Sequence, residues 1–487
     1  MITFVICLAL LVASYFTYGR YLERRFGADD SRPAPCRTHY DGVDYLPLPT
    51  WKAFLIQLLN IAGLGPIFGA LLGATYGPVA FLWITLGGIF MGAVQDYFSG
   101  MISMENKGLS LPEIVGKYLG LSVKQVMRGF TVALMVLVGA VFMSGPAGLL
   151  AGLSGLTTLH LGGITIPNFW VWVILVYYVV ATLLPIDKII GRIYPVFGAA
   201  LLFMAIGILG AIFFGGYAVP ELTLSTLTNM KSNAADFPIV PTLFVTIACG
   251  AISGFHATQS PMIARCLTRE SHGRPVFFGA MIAESAIALI WAAVGMSFFG
   301  GVHELGDALA AHDWSAAWAV DTISHTTLGR IGGLLAILGV VAAPISTGDT
   351  AFRSARLIVA DFLHIKQTRF VNRLCISVPL FIIGYVITLL RFDVVWRYFA
   401  WANQTLAVAA LWTIAVYLLQ RRQNCLVALL PALFMTFITT TYLFTAVEMI
   451  HANYLIGIIV AGALTLALLL LFCRYAVRHG DKMGAVS

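Results

Sequence analysis

Three ionisable side chains stand in stretches so apolar that water is scarce around them. They are Asp96 in Gly92-Ala93-Val94-Gln95-Asp96-Tyr97, His256 in Gly250-Ala251-Ile252-Ser253-Gly254-Phe255-His256, and Glu284 within the run 276–301. A charge inside a bilayer costs several kcal/mol unless it is paired or hydrated, so each is either a working group or half of a structural pair. Asp96, beside Gln95, suits a gate or a bond that fixes the helix bundle. Glu284 suits a proton relay or a bond to a neighbouring helix. His256, with an ordinary pKa of about 6.5, suits a proton or a substrate carboxylate, unless its neighbours simply satisfy it. Cys249 stands seven residues before His256 and shares its helical face. With Glu284 the two would make a transition-metal or intramembrane-enzyme site, but no HExxH, GxSxG or paired-Asp pattern accompanies them. That is the remote alternative; the expectation is no enzyme, no transition metal and no cofactor beyond a coupling Na+ or H+.

A second chemistry is written in oxygens. In Ala343-Pro344-Ile345-Ser346-Thr347-Gly348-Asp349-Thr350, residues three and four apart share a helix face. The Ala343 carbonyl and the Ser346 and Thr347 hydroxyls therefore make one wall of a site for a hard cation, with Leu59 and Ala62 opposite. The competing reading has both hydroxyls bonding back to the preceding turn around Pro344. Asp349, followed by Arg353 and Arg356, closes one end through an ion pair. Asn403 and Gln404 line a path or tie helices together.

These groups need interrupted helices to hold them. Asn60-Ile61-Ala62-Gly63-Leu64-Gly65-Pro66 places two glycines and a proline in mid-span, and 250–261 is again glycine-rich, polar and central. Proline removes an N–H and clashes with the preceding turn, so breaks are expected in both. Unwound carbonyls coordinate cations, while the N-terminal ends of half-helices attract carboxylates. Substrate binding is therefore expected at Gly63, Leu64, Gly65 and Pro66 and at Ser253, Gly254, Phe255, His256 and Gln259. The ion would bind at Leu59, Ala62, Ala343, Ser346 and Thr347, and gating or proton relay would fall to Gln95, Asp96, Glu284, Asp349, Arg353 and Asn403. The plain alternative is that the glycines only let helices pack closely.

The chain that carries them is 59% hydrophobic and 10% charged over 487 residues, against about 25% charged in a soluble domain. It reads as an integral membrane protein, and its seven cysteines show no CxxC spacing. At about 20 apolar residues per crossing, thirteen spans are expected: 2–19, 53–75, 78–104, 127–153, 168–185, 191–217, 239–260, 276–301, 329–351, 372–390, 401–419, 426–446 and 453–473. The first reads as a retained anchor. With the N-terminus outside, 25 Lys and Arg fall inside and only Lys231, Arg330, Arg391 and Arg397 outside, the bias that sets orientation. Outer loops near 220–236 and 303–325 are long enough for short surface helices and suit lids. The basic residues are spread among loops, which makes nucleic acid an unlikely partner; the expected partners are lipid and a small solute. The two interrupted spans stand five apart, the mark of an inverted repeat. The expected organisation is an anchor and loop over 1–52, repeats over 53–217 and 218–419, and two closing helices over 420–487. No P-loop and no large soluble signalling domain is present, so an ATP-driven pump and a sensor are both poor readings.

The stretches Asp41-Gly42-Val43-Asp44-Tyr45-Leu46-Pro47, IAGLGPI (61–67), GAVQDY (92–97), ACGAISGFH (248–256), Asp349-x-x-x-Arg353-x-x-Arg356 and Asn403-Gln404-Thr405-Leu406-Ala407 resemble, in order, the carbon starvation protein A (CstA) family. The resemblance implies an inner-membrane secondary transporter taking up peptides, or in some members pyruvate, under nutrient limitation. It also implies a core similar to the LeuT-type (amino acid–polyamine–organocation) fold. There Asn60-x-x-Gly63-Leu64-Gly65 resembles the unwound first core helix of sodium-coupled symporters, and Ala343, Ser346 and Thr347 their second sodium site. Longer members carry a His pair just before the glycine break; here those positions read Ile56 and Gln57, and the chain is shorter at its C-terminal end.

Overall fold

A computed structural model describes residues 1–42, 44–161, 164–183, 186–365, 367 and 369–484, without the side chains at 153, 161, 164, 183, 186–195, 331, 332, 335–337, 393 and 479–484. Val43 of the Asp41–Pro47 motif, the end of the expected fifth span at Leu184 and Pro185, and the side chains of Lys188, Arg192, Lys366 and Lys482 lie outside the described residues.

The chain is almost wholly helical. In order run α1 (Ile2–Phe26), α2 (Thr50–Ile61), α3 (Gly65–Ala74), α4 (Val79–Glu105), α5 (Leu111–Leu119) and α6 (Leu121–Ser154). Then come α7 (Phe169–Leu183), α8 (Ile186–Phe214), α9 (239–246), α10 (Gly254–Ala264), α11 (Glu270–Phe298) and α12 (Val302–Ala311). The last five are α13 (Ala316–Leu363), α14 (Phe370–Thr388), α15 (Phe392–Gln420), α16 (Leu426–Thr445) and α17 (Tyr454–Gly484). Among the described residues nine helices are long and apolar enough to cross a membrane, or ten if the bent pair α2 and α3 is one crossing. The other three of the thirteen expected spans are helical but irregular. α7 is short, α9 and α10 are separated by a break, and α13 is two helices that meet at a kink at Gly329 (φ 65°, ψ −168°).

Two details depart from expectation. Residues 158–161 and 164–167 form two short strands, β1 (Thr158–Leu161) antiparallel to β2 (Ile164–Pro167), with Leu159 opposite Ile166 and His160 opposite Thr165. The stretch 220–236 holds turns rather than a surface helix, whereas 303–325 falls within α12 and the start of α13.

Both expected interruptions are present. α2 ends where Ala62 leaves helical geometry (φ −83°, ψ 58°), and α3 resumes at a 56° angle with Pro66 in its first turn, where the missing N–H costs nothing. α9 stops at Ile247 (φ −94°, ψ 75°), the chain runs irregularly to Ser253 (φ −146°, ψ 123°), and α10 begins at Gly254. Around these breaks lie the most enclosed helices: 83% of the apolar window of α11, 78% of that of α15 and 72% of that of α4 is buried, against 17% for α17. α10 packs on α4, α15 and α2, α11 on α2 and α3, and α13 along α6 and α8, while α16 lies on α15 and α17 on α16 at the rim. Residues 83–92 of α4 are wound as a π-helix, a local widening common at functional sites. There Gly92 lets the unwound strand of the second break approach so closely that a Cβ would strike the Ala251 carbonyl.

Candidate functional site

Unwinding a helix frees carbonyls that lipid cannot satisfy, and at the second break side chains from other helices take them up. Trp83 Nε1 donates to the Ile247 carbonyl (2.9 Å), Gln404 Nε2 to that of Phe244 (3.2 Å) and Gln95 Nε2 to that of Ser253 (2.5 Å). Asn403 completes the frame from α15. Its Oδ1 accepts from Phe255 N (2.7 Å), capping the start of α10, and its amide nitrogen lies 2.9 Å from Ser253 Oγ and 3.6 Å from Cys249 Sγ. Gln95 and Asn403, expected in a gate or relay, thus bond directly to the second break.

Inside this frame the three ionisable groups meet. His256 Nδ1 lies 3.0 Å from Asp96 Oδ2, and its Nε2 lies 3.4 Å from Glu284 Oε2, with all three side chains wholly buried. Among the described residues, neither His256 Nε2 nor either Glu284 oxygen has a hydrogen-bond partner of sound geometry. Cys249 joins them: its sulfur, a His256 nitrogen and a Glu284 oxygen all lie within 4.8 Å of one another. That is the group the metal alternative required, yet the sulfur is already in reach of the Asn403 amide and the Ser253 hydroxyl (3.8 Å).

The oxygen cluster forms between α2 and α13. The Thr347 hydroxyl is 3.0 Å from the Leu59 carbonyl and 2.9 Å from that of Ala343, and the Ser346 hydroxyl donates to the same Ala343 carbonyl (2.6 Å). The back-bonding and the facing wall at Leu59 thus occur together. Ala62 is buried at the end of α2.

The expected substrate residues face one another but are tightly closed. A Cβ at Gly65 would overlap Cys249, one at Gly63 would come within 2.8 Å of the Phe142 ring, and one at Gly254 would strike the backbone of Asn403 and Ala407. Phe255 sits edge-on to Phe142 (6.4 Å), Leu64 and Pro66 are buried, and Gln259 Nε2 donates to Thr258 (3.0 Å). Open space lies one turn away: a cavity of about 40 Å³ between α2, α10 and α13, lined by Ile56, Asn60, Met262, Ile263, Thr350 and Arg353. This has room for about one water molecule.

At the edge of that cavity Arg353 lies 3.7 Å from Asp349 and donates to the Ala181 carbonyl (3.2 Å). The cavity is covered by the segment bearing Asp44 and Leu48. Leu48 N donates to the Cys266 carbonyl (3.0 Å), Tyr45 hydroxyl to that of Lys107 (3.0 Å), and Arg265 stacks over the Tyr45 ring at 5.2 Å. Sequence reading singled out Asp41–Pro47 only as a motif and missed it as a cover. It also missed Trp83 as a partner of the second break, because an indole in an apolar run carries no sign of which carbonyl it will meet. Gln57, at the position of the absent His pair, donates to Ser260 of α10 (3.3 Å).

Among the described residues, nine helices long and apolar enough to cross a membrane, with breaks between α2 and α3 and between α9 and α10, define a multi-pass, all-helical membrane protein. Residues 1–167 and 156–292 match the family model described as carbon starvation protein CstA, and the chain belongs to that family. It is 43% identical over 351 residues to a protein of Haemophilus influenzae described as an uncharacterized membrane protein, covering 64% of this chain and 95% of that one. It is 25% identical to the Escherichia coli peptide transporter CstA, over 90% of this chain and 79% of that protein. It is 26% identical to the Escherichia coli pyruvate/proton symporter BtsT, over 59% of this chain and 47% of that protein, so the alignment spans about half of the latter. A crystal structure of the Eremococcus coleocola manganese transporter shares the fold at TM-score 0.50 and 14% identity, over 91% of this chain and 99% of that one.

Proposed function

We propose that this protein is a secondary active transporter that imports small carboxylate-bearing nutrients, short peptides or amino acids first, by ion-coupled alternating access across the bacterial inner membrane. The observation that carries the reading is the meeting of two interrupted helices, α2–α3 and α9–α10, packed shut around Gly65 and Cys249 beside a water-sized cavity. A solute of peptide size enters only if those half-helices part, which is the motion alternating access requires. The names of the relatives support transport, and the likeness to BtsT keeps a pyruvate or monocarboxylate symporter as the second reading.

In this reading thirteen spans run from an outer N-terminus to an inner C-terminus, with two antiparallel five-helix repeats over 53–217 and 218–419 as in LeuT-like transporters. The equivalent places of the two breaks and the fold likeness support that arrangement. Substrate carboxylate meets the N-terminal ends of α3 and α10, at Gly63 to Pro66 and Ser253 to His256 with Gln259. A sodium ion is taken by the oxygens of Leu59, Ala62, Ala343, Ser346 and Thr347; the close approach of those of Leu59, Ala343, Ser346 and Thr347 supports this role. Asp349 and Arg353, under the Asp44–Leu48 cover, guard the cytoplasmic exit, and the outer loops act as lids. The test is uptake of labelled dipeptide, amino acid and pyruvate into proteoliposomes under imposed sodium or proton gradients. Gradient-driven accumulation of one of them is expected; no gradient-dependent uptake of any would overturn the reading.

A further inference from the structure

Asp96, His256 and Glu284 come from three separate helices, α4, α10 and α11, and are each wholly buried. Fully deprotonated, the set carries two negative charges; with His256 alone protonated it still carries one. Among the described residues no Lys or Arg is ion-paired with either carboxylate. The other groups turned toward the cluster are neutral: Gln95 from α4, Cys249 and Ser253 from the break, and Asn403 from α15. From α2, Gln57 reaches only Ser260, a turn further along α10. On the remaining helices packed against α10, Asp349 lies beside Arg353 on α13 (3.7 Å), and Glu113 of α5 is held by Lys124 and Arg128 (2.5 Å each). An uncompensated charge in this interior is costly, so the packed state favours a neutral cluster, which holds two protons among three groups.

The geometry names the proton that can leave. Asp96 fixes Nδ1 of the imidazole at 3.0 Å, which turns Nε2 toward Glu284 Oε2 at 3.4 Å, so that a small approach of the two makes the hydrogen bond along which a proton can pass. With one of the two protons on Asp96, the other passes from Nε2 of the imidazolium to the Glu284 carboxylate: the N–H bond breaks as the O–H bond forms, and the cluster stays neutral. Because His256 sits in the first turn of α10, any tilt of that half-helix draws the imidazole away from Asp96, Glu284 or both. Each carboxylate then loses its partner and must face water to give up its proton.

We propose that Asp96, His256 and Glu284 form the binding site of a coupling proton, loaded while α10 is packed as in this structure and discharged when α10 moves. The inference rests on the transport reading and deepens it, adding a proton site distinct from the oxygens at Thr347.

The experiment uses full-length protein in proteoliposomes with a pH-sensitive dye inside and a labelled solute that the wild type transports. For the wild type, an imposed inward proton gradient is expected to drive accumulation with internal acidification that requires the solute. Glu284→Gln, isosteric and permanently neutral, is expected to lose accumulation and acidification while retaining solute exchange without a gradient. Its exchange rate should no longer vary with pH, and Glu284→Asp should restore part of that variation. If Glu284→Gln accumulates solute with the wild-type pH profile, or if wild-type uptake runs on sodium alone with no proton movement, the proton site is wrong while the transport reading stands. No wild-type uptake of any solute overturns the transport reading and this inference with it. Stoichiometric transition metal in the purified protein, removed by Cys249→Ala, would give these residues to a metal and overturn the proposal.

Discussion

The side chain of Asn403 reaches three parts of the second break at once, namely Phe255 N, the Ser253 hydroxyl and the Cys249 sulfur. Removing one partner of a buried hydrogen bond strands the other, at about 1–3 kcal/mol per group. Asn403→Ala is therefore expected to lower the melting temperature of the purified protein measurably and to abolish uptake; an unchanged melting curve would show that the break is held by something else. Thr347 tests a different chemistry. Its hydroxyl lies between two backbone carbonyls, so Thr347→Val keeps the shape and removes the oxygen shared by Leu59 and Ala343. Loss of that bond strands the buried Leu59 carbonyl and should cost stability about 1–3 kcal/mol, while any stimulation of uptake by sodium should disappear. Sodium dependence that survives Thr347→Val would leave the cluster a purely structural bond around Pro344.

The two interrupted helices were legible at the level of elements because Gly63, Gly65 and Pro66, and the run Gly250 to Gly254, disfavour a continuous helix; the second unwound stretch falls at 247–253, and the polar run that follows it is helical as the start of α10. The paired strands β1 and β2 were written just as locally, since Leu159-His160-Leu161 and Ile164-Thr165-Ile166 alternate, yet they read as a loop beside much longer spans. Contacts between distant segments were not legible. Nothing in Asp96, His256 or Glu284 separately says that three helices bring them within 3.0 and 3.4 Å, nor that Trp83 serves Ile247. The loop before α9 holds another such contact. Lys231 donates to Thr75 at the end of α3 (3.2 Å) and lies 4.3 Å above the Trp314 ring, with Phe237 and Tyr76 at 5.3 and 5.4 Å. Burial pushes its ammonium down to about 8 from an ordinary 10.5. Above pH 8 the folded lysine sheds a proton that the unfolded chain keeps until about 10.5, so the unfolded state binds more protons and stability rises with pH across that window. The wild type should thus gain melting temperature relative to Lys231→Met between pH 8 and 10, and a difference that stays flat would contradict the burial of the charge.

For the whole molecule, the separation of enclosed from exposed helices matters most. α4, α11 and α15 surround the breaks, while α1, α14 and α17 present apolar faces outward, so motion at the breaks has to be carried by the inner group against a lipid-facing rim. In the present state that group is shut: Cys249 is 2% exposed, Gly65 packs directly on it, and the adjoining cavity admits about one water. If the paired interruptions form the path, Cys249 must meet water once per cycle. The measurement is the rate at which a water-soluble maleimide alkylates a variant keeping Cys249 as its sole cysteine, in proteoliposomes at rest and during gradient-driven uptake. The account predicts slow labelling at rest, faster labelling when solute and gradient are both present, and uptake that falls in step with the labelled fraction. A sulfur that stays unlabelled while solute accumulates would show that the path runs elsewhere in the bundle.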